Sequence, residues 1–137
     1  MGSPRTILVV DDEPDGREAT ALALRRKGYI VVTADDGADA IRMITDPLPD
    51  LAVVNMMLPG ASGFQVAQAD KDATDGRVPV VMVSAYSSAA HQDFAFASGV
   101  DRFLAKPFAA AKLADTVVAL CPPGSGSKVM PMTATRR

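Results

Sequence analysis

The sequence has 137 residues, of which 48% are hydrophobic and 22% are charged, and these values fit one globular domain and exclude a disordered chain. Fourteen basic and 16 acidic residues leave a formal net charge of -2, which excludes a bulk electrostatic attraction to nucleic acid or to an anionic membrane. The sequence contains neither an apolar run long enough to span a membrane nor an N-terminal signal core, so we expect a cytoplasmic protein with no nucleic-acid and no membrane partner.

Five runs rich in aliphatic and β-branched residues predict β-strands. They lie at residues 6–10, 29–33, 50–54, 78–83 and 100–105. The first and fourth runs are almost continuously apolar, which is typical of strands that are covered on both faces. The pattern therefore predicts a sheet that lies between layers of helices.

Helical patterns separate and follow these strands. The helices are predicted to begin near Pro14, Asp36, Gly63, Ser88 and after Pro107. The end of the third helix, residues 68–72, has the polar composition of a solvated segment. The fourth helix is predicted to bury the stripe Ala90, Phe94 and Ala97, with Phe96 exposed beside it. Cys121, the only cysteine, follows the fifth helix and is expected to be a buried structural thiol.

Strands that alternate with helices indicate βαβ units with right-handed crossovers. The predicted fold class is therefore α/β, a doubly wound five-stranded parallel sheet of order 2-1-3-4-5 with five helices in a three-layer sandwich. Polar residues stand where four of the strands end, and the carboxyl ends of parallel strands lie at one edge, where such folds bind ligands. These residues are Asp11, Asp12, Asn55, Ser84 and Lys106.

The pair Asp11 and Asp12 is typical, when taken alone, of a solvated loop that precedes a helix. Two adjacent carboxylates repel each other unless a cation holds them, and ligation by oxygen atoms is what Mg²⁺ prefers. The expected presence of Lys106 and Ser84 at the same edge favours a binding site over a solvated loop.

Four segments in this order resemble the response-regulator receiver domains of two-component signalling, over roughly residues 5–121. They are Ile-Leu-Val-Val-Asp-Asp-Glu (7–13), Pro-Asp-Leu-Ala-Val-Val-Asn-Met-Met-Leu-Pro-Gly (49–60), Pro-Val-Val-Met-Val-Ser-Ala (79–85) and Phe-Leu-Ala-Lys-Pro-Phe (103–108). The resemblance implies a flavodoxin-like fold, with a receiver domain at residues 1–121 and a flexible C-terminal linker or tail at residues 122–137. It also implies a signalling module, not an enzyme, although competent receivers catalyse their own phosphorylation and dephosphorylation.

The resemblance implies a Mg²⁺ site in which Asp12 is a direct ligand and Asp11 acts through water. The backbone carbonyl of Met57 would be a further ligand, and Asn55 could offer its amide oxygen. Because an amide carries no charge, we expect Asn55 to weaken the binding of Mg²⁺.

The resemblance implies roles for the residues of the last two strands as well. Ser84 would donate a hydrogen bond to a phosphoryl oxygen, and Lys106 would pair with the same group. Phe103 stands where the family has an aromatic rotamer switch, and the bond before Pro107 is expected to be cis.

The sequence departs from the family at the phospho-acceptor, where Asn55 replaces an aspartate. An aspartate carboxylate attacks phosphorus to form an acyl phosphate, whereas the lone pair of an amide nitrogen is tied up in resonance. This domain should therefore not be phosphorylated at its usual site. The substitution is consistent with a deliberate block in a competent receiver and also with a natural atypical receiver.

The resemblance implies signalling through protein contacts with a histidine kinase or a histidine phosphotransfer protein and with an unknown output protein. The docking face for the kinase would be the first helix and the loops near Pro14 and Pro59. The face formed by helix 4, strand 5 and helix 5 would bind an output protein or form a homodimer, although Phe96 on that face also fits an ordinary surface aromatic.

Parts of the sequence are also compatible with two other functions. A Mg²⁺-dependent phosphoryl hydrolase could use the acidic residues Asp11 and Asp12, but the nucleophilic acid is missing at Asn55. A flavodoxin-like cofactor binder would need a glycine-rich phosphate loop after the first strand, where this chain has Asp-Asp-Glu.

Overall fold

The computed structural model describes residues 4–124 and contains a five-stranded parallel sheet with five helices. The strands are β1 (Thr6–Val10), β2 (Ile30–Ala34), β3 (Leu51–Asn55), β4 (Val80–Ser84) and β5 (Arg102–Ala105). The helices are α1 (Pro14–Arg25), α2 (Gly37–Met43), α3 (Gly63–Thr74), α4 (Ala89–Ala97) and α5 (Ala110–Leu120). The strand order β2-β1-β3-β4-β5, with parallel pairing throughout, confirms the predicted fold class.

The sheet buries a separate hydrophobic core on each of its faces. Ile7 and Val9 of β1 pack towards α1 and α5, whereas Leu8 and Val10 pack towards α2, α3 and α4. Because side chains alternate along a strand, a strand that is covered on both sides must be apolar at every position. This arrangement explains the continuous aliphatic runs of the sequence.

The burial of Cys121 agrees with the prediction, whereas the start of β2 differs from it by one residue. Cys121 is buried, as predicted, and its carbonyl accepts a hydrogen bond from the Tyr29 hydroxyl. The Tyr29 amide donates to the Leu24 carbonyl of α1 at 3.3 Å, and β2 begins at Ile30, one residue later than predicted. Most of the predicted flexible tail at residues 122–137 lies outside the described residues. No helix between residues 4 and 124 has the length and apolarity needed to cross a membrane.

The end of α3 is exposed at Gln68, Lys71 and Asp72, as the composition predicted, but Asp70 departs from that prediction. Asp70 is only 2% exposed, and one of its carboxylate oxygens lies 2.5 Å from the Thr74 hydroxyl and 3.2 Å from the Val78 amide nitrogen that donates to it. A buried carboxylate is tolerated when it accepts hydrogen bonds. Asp70 therefore connects the end of α3 to the chain that leads into β4.

The buried stripe of α4 is displaced by one residue from the prediction, so the assignment of Phe94 to the core was wrong. Ala95 is fully buried and Ser98 is nearly so, whereas Phe94 is 58% exposed. The polar members of this stripe satisfy their hydrogen bonds locally, since Ser98 donates to the Phe94 carbonyl and the His91 ring contacts the Ser88 hydroxyl. Hydrophobicity alone therefore predicts the wrong buried face of α4. Phe96 is 47% exposed, as predicted.

Gly37 allows two loops at the carboxyl edge of the sheet to touch. A Cβ atom on Gly37 would stand 1.8 Å from the Ala61 carbonyl oxygen, and the Gly37 amide donates to the Pro59 carbonyl at 2.9 Å. The first turn of α2 is thereby packed directly against the loop that follows β3.

We expect Gly37→Ala to lower the free energy of unfolding by about 3 kcal/mol, because the added methyl group meets backbone atoms that cannot move independently. Gly76→Ala is the control: its φ of +71° is unfavourable for alanine, but no atom lies within 4 Å of the new Cβ. It should cost only about 1 kcal/mol. Urea unfolding measures both values, and equal losses would contradict the steric argument.

Burial raises the pKa of the Asp70 carboxyl, with a smaller effect in the same direction from Asp101, and the hydrogen bonds from Thr74 and Val78 act against it. The folded state therefore binds this proton more tightly than the unfolded state does. Its stabilisation is complete below the unfolded pKa of about 3.9 and is lost as the pH rises through the folded pKa.

We therefore expect Asp70→Asn to gain stability relative to the wild type as the pH rises through this window. Urea unfolding at a series of pH values measures the difference. Asp72→Asn, which removes an exposed carboxylate from the same helix, is the matched control. A difference between Asp70→Asn and the wild type that stays constant with pH would contradict the assignment.

Candidate functional site

Backbone hydrogen bonds align the ends of the parallel strands. The Asp11 amide donates to the Ala34 carbonyl at 3.1 Å, and the Lys106 amide donates to the Ser84 carbonyl at 2.8 Å. Asn55 is in register with Val83, immediately before Ser84. Asp11, Asn55, Ser84 and Lys106 therefore stand at consecutive strand ends along one edge of the sheet, and Asp12 follows Asp11 in the same loop.

The two adjacent acids of the β1–α1 loop differ in exposure. Asp11 is only 7% exposed, and its Oδ1 atom accepts a hydrogen bond from the Glu13 amide at 3.0 Å. Arg17 of α1 donates to the backbone carbonyl of Asp11 at 2.9 Å, so the helix also holds the loop. Asp12, in contrast, is exposed to solvent. The loop thus presents one fixed carboxylate and one free carboxylate.

Gly16 leaves the space that the Asp11 side chain occupies. A Cβ atom on Gly16 would lie 2.9 Å from the Oδ2 atom of Asp11. Within residues 4–124, the only hydrogen bond to this carboxylate is the one that Glu13 donates to Oδ1. The second oxygen therefore lies in a mostly buried position without a donor from the described part of the chain.

Asn55 forms a hydrogen bond with the loop that follows β3. Its Nδ2 atom donates to the backbone carbonyl of Met57 at 3.1 Å. An aspartate in the same position would bring a second oxygen towards this carbonyl, and two acceptors need a proton or a cation between them. The amide therefore supplies locally the positive partner that a carboxylate would have to obtain from elsewhere.

Ser84 is 2% exposed, and its hydroxyl oxygen accepts a hydrogen bond from the Tyr86 amide at 2.8 Å. The hydroxyl proton remains available to a further acceptor. Lys106 is half-buried, and no carboxylate oxygen of residues 4–124 lies within 4.0 Å of its ammonium group. In the described chain, Asn55 also accepts no hydrogen bond from Lys106. The Lys106 ammonium group and the Ser84 hydroxyl can thus both bind an acceptor group of a ligand.

Phe103 and Pro107 flank the last strand end. Phe103 is half-buried and packs against the core on the side of α2, α3 and α4, opposite Met82 in the register of β4 and β5. The peptide bond between Lys106 and Pro107 is cis. A second cis bond joins Asp46 to Pro47, after α2, and nothing in the sequence analysis singled it out.

A second acidic group, which the sequence analysis did not single out, follows β2. The carboxylate oxygens of Asp35, Asp36 and Asp39 lie within 4.8 Å of one another. The Oδ1 atom of Asp36 caps α2 by accepting from the Asp39 amide at 2.7 Å, and Asp39 forms an ion pair with Arg42. Helix capping and this pair account for two of the three acids.

The geometry agrees with what comparison with known proteins finds. The family model for the response regulator receiver domain matches residues 7–118. The transcriptional regulatory protein PrrA of Mycobacterium tuberculosis is 41% identical over 118 residues, which are 86% of this chain and 50% of PrrA. The phosphate regulon transcriptional regulatory protein PhoB of Escherichia coli is 32% identical over 85% of this chain and 51% of PhoB. The chain thus spans about half the length of these relatives.

Solved structures show the same fold. The signal receiver domain of the putative response regulator NarL from Mycobacterium tuberculosis superposes with a TM-score of 0.80 at 32% identity, over 86% of this chain and 96% of that one. A putative response regulator from Chloroflexus aurantiacus gives a TM-score of 0.80 at 31% identity, over 86% and 98% of the two chains. The family match, the relatives and the fold agree, and the chain belongs to the response regulator receiver domain family of two-component signalling.

Proposed function

We propose that this chain is a receiver module that cannot accept a phosphoryl group at the usual position, because Asn55 stands there. The observation that carries the proposal is the position of Asn55 at the end of β3, at the same edge of the sheet as Asp11, Ser84 and Lys106. The proposal holds whether the asparagine is native or was introduced.

The chemistry of an amide separates this site from a competent one. An acceptor carboxylate attacks the phosphorus in line and forms an acyl phosphate. The Asn55 oxygen is neutral, the nitrogen lone pair is delocalised, and one N–H is already donated to the Met57 carbonyl. Asn55 therefore has no nucleophilic atom to present.

The other residues retain the properties that phosphoryl binding needs. The Ser84 hydroxyl, which already accepts a hydrogen bond from the Tyr86 amide, would donate a hydrogen bond to a phosphoryl oxygen. The ammonium group of Lys106 has no carboxylate partner among the described residues and would pair with the same anion. Phe103 would act as the aromatic switch, which changes its packing but has no hydroxyl to offer a partner.

The possible ligands at this edge fit Mg²⁺ because they are all oxygen atoms. One of them is the Oδ2 atom of Asp11, a mostly buried residue, and this atom accepts no hydrogen bond from residues 4–124. Asp11 and Asp12 would hold the ion together with the Met57 carbonyl, and Asn55 could add its amide oxygen. When bound, Mg²⁺ supplies positive charge against a phosphoryl group. The bond from Asn55 to the Met57 carbonyl and the missing negative charge would both weaken its binding.

The proposed partners follow from exposed side chains. A histidine kinase or phosphotransfer protein would dock on α1 and the neighbouring loops, where Leu22 is 48% exposed and Met57 is 58% exposed. An output protein or a second copy would use the face of α4, β5 and α5, on which Phe96 is exposed. We assign the receiver to residues 1–121 and a linker to residues 122–137. The family assignment does not favour the hydrolase alternative based on Asp11 and Asp12.

We expect no phosphoryl adduct at residue 55 when the protein is incubated with acetyl phosphate and Mg²⁺, because the acceptor atom is absent. Asn55→Asp should restore the adduct, and Lys106→Ala in that background should reduce its yield. Intact-mass spectrometry followed by peptide mapping measures these outcomes. An adduct that maps to Asn55 would refute the proposal, and one that maps to Ser84 would move the acceptor to that residue.

We also expect Asn55→Asp to bind Mg²⁺ at least about fivefold more tightly. A unit charge about 4 Å from a cation contributes roughly 1 to 4 kcal/mol near a protein surface, and about 1.4 kcal/mol corresponds to a factor of ten. Isothermal titration calorimetry measures the affinities. Gln65→Glu is the control because it adds the same charge on the exposed first turn of α3 and can keep the capping box. An equal gain in both variants would show a nonspecific effect of charge.

A further inference from the structure

A cavity of about 180 Å³ lies between α1 and α5, below the edge that carries the proposed phosphoryl site. Its floor is formed by valines of the sheet, and its walls come from both helices. Its lining includes Asp11, Gly16, Val83, Lys106, Ala110 and Leu113.

The cavity exists because the two helices present small residues to each other. Gly16 and Ala19 line it from α1, and Ala110 lines it from α5. Cavities of about 150 Å³ with apolar walls are large enough to bind a benzene ring. This cavity therefore has room for an aliphatic or aromatic side chain.

Two opposite charges line the same cavity. Asp11 contributes a carboxylate that is 7% exposed and whose Oδ2 atom receives no hydrogen bond from residues 4–124. Lys106 contributes an ammonium group that forms no ion pair with the described residues. A carboxylate that is mostly buried without a partner is costly, so Asp11 favours a cationic ligand group. Lys106 is half-buried and has no ion-pair partner among residues 4–124, so it can pair with an anionic group of the same ligand.

We propose that this cavity binds a small zwitterion with an apolar side chain, that is, a free α-amino acid of the aliphatic or aromatic class. The ligand's ammonium group pairs with Asp11 and its carboxylate pairs with Lys106. Its side chain packs between Val83 and Leu113. An anion alone would face the Asp11 carboxylate, and a cation alone would leave Lys106 unpaired.

This inference goes beyond the proposed receiver function and does not depend on the chemistry of Asn55. The ligand would occupy two charged groups of the phosphoryl site and would fill the space between α1 and α5. The domain would in this way respond to a noncovalent signal.

The test is isothermal titration calorimetry of the full chain with L-leucine and L-phenylalanine in a buffer free of phosphate and divalent metal. We expect millimolar or tighter binding of at least one of them. Phenethylamine and 3-phenylpropionate each lack one of the two charges and should bind at least about tenfold more weakly, because each loses a charge-assisted hydrogen bond. Absence of binding by both amino acids, or equal binding of the singly charged analogues, overturns the proposal.

Two variants locate the binding. Ala110 lines the cavity at an exposed position, so Ala110→Leu should obstruct the cavity and abolish binding, whereas Ala111→Leu, at a neighbour that is also exposed and does not line the cavity, should leave binding unchanged. Lys106→Met removes one charge at a half-buried position and should weaken binding about tenfold even if Ala110→Leu fails to fold. Unchanged binding by a folded Ala110→Leu or by Lys106→Met overturns the assignment. Phosphorylation of Asn55→Asp is measured separately, so the two proposals can fail independently.

Discussion

Backbone hydrogen bonds that continue just beyond the ends of the parallel strands are the constraint on which the rest of this site depends. The bonds from Asp11 to Ala34 and from Lys106 to Ser84 extend the parallel pairing past the ends of β1 and β5. They involve only main-chain atoms, so they form whatever side chains stand there. The sheet thus brings acids, an amide, a hydroxyl and an amine to one edge, and the identity of each side chain then decides the chemistry.

Asn55 shows how one atom changes that chemistry without disturbing the fold. With an aspartate in its place, the edge would gather three carboxylates, and their repulsion would favour a bound cation. The amide removes one charge and also donates to the Met57 carbonyl. Hence the Met57 carbonyl is hydrogen-bonded without a bound cation. The fold and the backbone of the pocket are retained, and the nucleophile is lost.

Much of this molecule could be predicted from the sequence, because strands covered on both faces must be apolar throughout and the residues that end them are conspicuous. What could not be predicted depends on contacts that form only in the folded chain. Asp70 is buried and accepts a hydrogen bond from Val78, and Ser98 is buried on α4 while its hydroxyl donates to the Phe94 carbonyl. The cavity between α1 and α5 escaped prediction for the same reason, since it results from the way two helices separated in sequence pack together.

The close approach at Gly37 has a mechanical consequence. The Ala61 carbonyl packs closely against Gly37, and the Pro59 carbonyl accepts a hydrogen bond from the Gly37 amide. These two contacts restrict the movement of the start of α2 relative to the loop after β3. The segment that begins at Met57 and carries the carbonyl bonded to Asn55 leads directly into this junction. A rearrangement at the end of β3 should therefore displace α2 as well. Because α2 lies on the opposite face of the sheet from α1 and α5, the change would reach that face.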